Sequence, residues 1–210
     1  MRWLMLAAAA LVGYFVASLN PAIILSRAVY RKDIRELGSK NPGFTNFKRC
    51  FGMRWAIPVF VLDLLKAAFA VALFSYLLPK FGFDRRFAAI FTGFFCMLGH
   101  AYPPLYGFRG GKGFLVCLSA FFVTDWRVGL ICFGLMCLLL FTTHYMSLST
   151  VTAILAAPLL LVPFGASYAV FAVGEACAVF MAVRHRENIR RLLRGEESRF
   201  YFGHGRDKNA

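Results

Sequence analysis

Arg109-Gly-Gly-Lys-Gly113 is a segment with evident chemistry. Its glycines surround a lysine and lead straight into an apolar run. Glycines let a backbone approach a ligand closely, and a helix start offers unpaired N–H groups at the positive end of its dipole. Lys112 adds a compact charge at the same point. Gly110, Gly111, Lys112 and Gly113 thus form a candidate phosphate cradle, without the GxxxxGK[ST] pattern of a Walker A loop. A second polar stretch, 33–49, places Gly38, Pro42 and Gly43 among Ser39, Asn41, Thr45 and Asn46, with Lys40, Lys48 and Arg49 supplying charge. Such a loop can wrap an anion with side-chain and backbone donors. It also reads as an ordinary polar connector beside lipid headgroups. A third stretch, 184–197, carries His185, Asn188 and Leu192 at helical spacing on one stripe. Arginines alone would suit a tail resting on anionic lipid; a histidine and an asparagine on one stripe point to a ligand as well.

The elements that must position these loops are apolar. Of 210 residues, 60% are hydrophobic and 16% charged, and the mean hydropathy is +0.64. Soluble domains are about half apolar and about a quarter charged, so this composition indicates a multi-pass membrane protein. Apolar runs cover 3–25, 55–79, 87–106, 113–124, 127–143, 146–164 and 167–183. The run at 113–124 is short for a span and reads as a helix helped by its flanks or as a half-helix buried among its neighbours. The first run exceeds a signal-peptide core and reads as a transmembrane helix. With seven spans, 18 of the 24 Lys and Arg residues share one side, which predicts an N-out, C-in topology. The expected fold is therefore all-α, with seven transmembrane helices, a short fourth span and one membrane-embedded domain over 1–210. The last residues, 203–210, read as a polar tail.

The formal net charge is +14, but the basic residues lie between and after apolar runs, which fits membrane topology and excludes a nucleic-acid partner. Six cysteines without a CxxC pair read as buried small hydrophobes, giving neither disulfides nor a metal site. Asp63 and Lys66 are three apart in the second run, share a helix face and read as a structural pair near the polar side. Glu175, in the last run, has no evident partner in the sequence.

All three polar stretches resemble one family. Gly38-Ser-Lys-Asn-Pro-Gly-Phe-Thr-Asn46 is similar to its GSGNxGATN loop, and Gly99-His-Ala-Tyr-Pro with Phe108-Arg-Gly-Gly-Lys-Gly113 to its GHxFPxxxxFKGGKG motif. His185-Arg-Glu-Asn-Ile with Gly195-Glu-Glu197 is similar to its HRxNIxRLxxGxE motif, and Tyr145-Met-Ser-Leu-Ser149 also resembles a family stretch. The family is that of the bacterial acyl-phosphate:glycerol-3-phosphate acyltransferases. The resemblance implies acyl transfer from acyl phosphate to the 1-hydroxyl of glycerol 3-phosphate, giving lysophosphatidic acid and phosphate. It implies no cofactor, and a site on the cytoplasmic face of the bacterial inner membrane. Besides membrane lipid, the enzyme that makes acyl phosphate is a partner compatible with it. It assigns catalysis to His185, Asn188, Ser39 and Arg49. Substrate and phosphate binding fall to Asn41, Thr45, Asn46, His100, Gly110, Gly111, Lys112 and Gly113, and structural support to Glu197, Asp63 and Lys66. No histidine has an aspartate five positions on, so the HxxxxD mechanism of another acyltransferase class is not expected. Lys40 and Phe44 depart from the pattern, which has small residues there; Ala67 replaces a glycine, and Phe114-Leu-Val116 replaces Val-Ala-Thr. These departures permit a divergent member. The alternatives are a non-enzymatic membrane carrier or binder of phosphorylated lipids and an inactive homologue; the sequence shows no inverted repeat of the kind secondary transporters use.

Overall fold

The computed structural model describes residues 1–201, so the polar tail 203–210 lies outside the described residues. Among the described residues the regular structure is helical throughout. The helices are α1 (Arg2–Ser18), α2 (Pro21–Tyr30), α3 (Phe44–Phe51), α4 (Met53–Leu77), α5 (Arg85–Ala101), α6 (Phe114–Thr124), α7 (Trp126–Thr143), α8 (Met146–Leu161), α9 (Tyr168–Arg184) and α10 (Arg186–Leu193). Each of the seven apolar runs coincides, to within a few residues at its start, with one of the apolar helices α1, α4, α5, α6, α7, α8 and α9.

Three helical stretches among the described residues are long and apolar enough to cross a membrane: Arg2–Tyr30, Met53–Phe81 and Trp126–Thr143. The pair Tyr168–Arg184 and Arg186–Leu193, bent by 61°, would make a fourth. Helices α6 and α8 are apolar but shorter. The first run is not one uninterrupted helix. Pro21 disfavours a helical residue before it, so Leu19 and Asn20 are extended. Asn20 then caps α2, its Oδ1 accepting from the Ile23 amide at 3.1 Å, with Pro21 in the first turn where its missing N–H costs nothing. The expected stripe through His185, Asn188 and Leu192 is also interrupted, because His185 is the joint between α9 and α10 rather than part of either helix.

Helix α6 lies at the centre, packed on α4, α5 and α7. Val116, Cys117, Leu118, Ala120 and Phe121 on it are buried. At about 1.5 Å per residue its 11 residues rise only about 16 Å. At its C-terminal end Asp125 ties three helix ends together. Its carboxylate accepts from Arg127 Nη2 at 2.7 Å and from Arg86 Nη2 at 2.8 Å, while Arg86 Nη1 donates to the Phe164 carbonyl at 2.6 Å. The Arg127 hydrogen bonds hold the Asp125 carboxyl below the usual carboxylate range. Asp125→Asn leaves two guanidinium groups without their counter-charge and should cost about 2 kcal/mol, a drop of several degrees in Tm measured by thermal unfolding in detergent.

Candidate active site

At the opposite end of the bundle the C-terminal ends of α5, α7 and α9 meet the N-terminal ends of α4, α6 and α8, with α3 and α10 beside them. One cavity of about 310 Å³ opens among them. Its polar part is lined by Ser39, Asn41, Thr45, Asn46, Arg49, His100, Lys112, Gly113, His185, Asn188 and Glu197. Phe60 of α4, Leu115 and Val116 of α6, and Phe133, Met136, Cys137, Leu140 and Phe141 of α7 line the apolar part. Polar residues from three distant stretches of the chain thus share one cavity, and that cavity continues into an apolar groove.

The loop before α3 is shaped by Asn46. Its Oδ1 accepts from the Ser39 amide at 2.9 Å, and its Nδ2 donates to the carbonyls of Leu37 at 3.0 Å and Ile34 at 3.4 Å. The Asn46 amide is therefore spent on folding the loop, although Asn46 lines the cavity with Ser39, Asn41 and Thr45. Lys40 takes a left-handed conformation, φ 58°, which a glycine adopts freely and an L-residue adopts at a cost of about 1 kcal/mol. Its side chain joins a separate surface pocket with Arg27, Arg35 and Arg109. Asn20 Nδ2 braces the loop from behind, donating to the Pro42 carbonyl at 3.2 Å.

The glycine loop differs from expectation in the direction of its amides. The Gly110 N–H donates to the Ala101 carbonyl and the Gly111 N–H to the His100 carbonyl, both at 3.1 Å. The last carbonyls of α5 need partners, and these two amides supply them. Gly110 and Gly111 therefore act by close packing, since a Cβ on Gly110 would lie 2.0 Å from the His100 oxygen and one on Gly111 2.2 Å from His100 Nε2. Arg184 Nη2 holds the Gly111 carbonyl at 3.1 Å. Lys112 and Gly113 do face the cavity, and the start of α6 follows them directly.

Below the loop, Lys66 Nζ contacts Asp63 Oδ1 at 2.9 Å and His100 Nδ1 at 3.1 Å, and donates to the Leu19 carbonyl at 2.7 Å. The pair expected from the sequence is thus a buried three-residue network that also closes the end of α1. His100 links it to the underside of Gly111.

Glu197 organises the third stretch. Its carboxylate accepts from Asn188 Nδ2 at 2.6 Å, Ser147 Oγ at 2.8 Å and Arg191 Nε at 2.7 Å. Asn188 Oδ1 in turn accepts from Lys112 Nζ. Burial lowers the Lys112 ammonium to about 8; Glu197 opposes the shift, and Arg191, Arg184 and Arg49 reinforce it. His185 Nδ1 lies 3.0 Å from the Met181 carbonyl, which fixes the proton on Nδ1 and leaves Nε2 as an acceptor. Burial and the neighbouring Lys112 charge hold its pKa at about 3, so the ring is neutral at ordinary pH.

The family model described as glycerol-3-phosphate acyltransferase matches residues 7–195. The chain belongs to that family. Curated glycerol-3-phosphate acyltransferases similar to it include one from Thermoanaerobacter pseudethanolicus, 34% identical over 90% of this chain and 93% of its own. Another, from Aquifex aeolicus, is 38% identical over 80% of this chain and 85% of its own. The fold is similar to the crystal structure of PlsY (YgiH), an integral membrane glycerol 3-phosphate acyltransferase, in its glycerol 3-phosphate form. The TM-score is 0.85 at 32% identity, over 93% of this chain and 96% of that one. The lysophosphatidic acid form gives 0.82 at 31% identity, over 94% and 96%.

Within this acyltransferase family pattern, Phe44 fills a place of small residues and forms a wall, its ring 5.5 Å from Phe60 and 6.1 Å from Phe200. Sequence reading missed Asn20, Ser147, Arg184 and Arg191. Asn20 carried a signal in the Asn-Pro pair; Ser147 and Arg184 act on partners far along the chain, and Arg191 on Glu197, six positions on. Lys112 is charged below its pKa, so affinity for a phosphate monoester should hold from pH 6.5 to 7.5 and fall as pH rises through 8 to 9. Calorimetric titration checks this, and Lys112→Arg should move the fall to higher pH.

Proposed function

We propose that this glycerol-3-phosphate acyltransferase takes its acyl group from acyl phosphate and delivers it to the 1-hydroxyl, forming lysophosphatidic acid for phospholipid synthesis. The observation carrying this reading is the single cavity that joins a cationic cup to an apolar groove. Both substrates bear phosphate, and the donor also bears a chain that belongs among apolar helices.

In this reading Arg49, Ser39, Asn41 and Thr45 hold the donor phosphate. Lys112, Gly113 and the free amides at the start of α6 hold the phosphate of the acceptor. His185 Nε2 accepts a hydrogen bond from the glycerol hydroxyl, and Asn188, anchored by Glu197, sits one turn beyond. The hydroxyl oxygen attacks the acyl carbon, the bond from that carbon to the phosphate oxygen breaks, and phosphate departs. A ring with a pKa of about 3 is a weak base. A phosphate oxygen, whose second pKa is about 6, takes the proton instead. His185 orients the attack, and the cationic side chains carry the charge of the leaving group.

The same reading places the chain as one unit with seven spans, N-out and C-in, in the bacterial cytoplasmic membrane, its cup on the cytoplasmic face. Support comes from the alternation of helix ends: α4 to α9 present their cup-side ends in the order antiparallel crossings require. The basic residues concentrate at that end.

His185→Ala should lower kcat about a hundredfold with little change in KM for glycerol 3-phosphate, because the lost interaction strengthens as the oxygen attacks. Single-turnover kinetics on the purified protein would show it, and retained kcat would remove His185 from the reaction. Purified protein should turn over palmitoyl phosphate and leave palmitoyl-CoA unused; comparable rates with both would refute the donor assignment.

A further inference from the structure

The family match ends at residue 195, yet the chain beyond α10 turns back across the cavity. After Glu197 the backbone has no regular secondary structure, and its side chains alternate. Ser198 and Phe200 line the cavity, while Arg199 is exposed and lies over the Tyr145 ring at 5.7 Å. The segment is secured at both sides. The Phe200 amide donates to the His144 carbonyl at 2.7 Å, and the Tyr201 ring lies 4.8 Å from that of His144. On the other side Lys48 Nζ donates to the Tyr201 carbonyl, and Phe200 packs on Phe44. Between these anchors, Arg49 Nη2 donates to Ser198 Oγ at 2.8 Å.

We infer that 198–201 is a strap that positions Arg49, with Ser198 Oγ orienting the guanidinium over the cavity. An arginine on a short helix such as α3 has many rotamers, and fixing one of them costs entropy at the moment a ligand binds. A serine hydroxyl fixes the fork in advance and, being neutral, leaves its charge and most of its N–H donors for an anion. A carboxylate at the same place would hold Arg49 and cancel it. The inference rests on the assignment of Arg49 to the donor phosphate and goes beyond it by making the strap part of the donor site.

The test is a set of steady-state assays on the full-length protein with palmitoyl phosphate and glycerol 3-phosphate. Ser198→Ala should raise the KM for palmitoyl phosphate about fivefold, as expected for one hydrogen bond to a half-exposed charged group. The KM for glycerol 3-phosphate should stay unchanged. Ser198→Thr should restore the donor KM, and Ser198→Asp should raise it further than alanine does. In an Arg49→Lys background, Ser198→Ala should have no additional effect. Unchanged kinetics in Ser198→Ala, or equal losses for both substrates with a lowered Tm, would overturn the inference. If Arg49→Lys alone leaves the donor KM unchanged, the donor-site assignment fails first, and the two failures are thereby told apart.

Discussion

A site that gathers Arg49, Lys112, Arg184 and Arg191 around one cavity repels itself, and Glu197 is the carboxylate that holds it together. It fixes Asn188 and Arg191 directly, reaches Ser147 on α8, and supports Lys112 by charge and through Asn188. Two helices and two loops therefore converge on one anion. The compensation is partial: Lys112 still loses part of its ammonium stability to burial and to the arginines around it. In the proposed reading a doubly charged phosphate suits such a site, because it adds negative charge where Glu197 compensates only in part.

The second organising demand comes from the ends of helices inside a low-dielectric bundle. The carbonyls that finish α1 and α5 each find a partner within the fold. Lys66 serves Leu19, while Gly110 and Gly111 serve Ala101 and His100. These are among the residues the sequence marks as unusual, a lysine inside a span and a double glycine after one. The double glycine is read as ligand chemistry, and the lysine as half of an ion pair, until the helix ends are seen.

Much of the architecture was legible because hydrophobic runs and helices coincide in this environment. The three polar stretches were legible because each combines charge with turn-forming residues. The break at Asn20-Pro21 was readable from proline geometry. The bend at His185 was not, since Val183-Arg-His-Arg186 continues a helical pattern without glycine or proline. The direction of the Gly110 and Gly111 amides depends on where α5 ends, which an apolar run extending to 106 conceals. Contacts such as that of Arg49 with Ser198, 149 positions apart, leave no local trace. Lys40 illustrates the reverse: its departure from the family pattern is visible in sequence, and only the structure shows it lining a separate pocket rather than the cup.

In the seven-span arrangement proposed above, helix α6 also sets how a membrane voltage is distributed. The hydrocarbon of a bilayer is about 30 Å thick, and α6 rises about 16 Å between the cup and Asp125. Where water fills the cup, it carries the bath potential inward, and the voltage falls across roughly half the usual depth of dry material. The field there is correspondingly steeper, and it is borne by Phe114–Thr124, a helix with no charged side chain to respond to it. Lys112, Arg49 and any phosphate beside them stay on the bath side of that drop. In that arrangement charge enters and leaves this cup without doing work against the membrane potential.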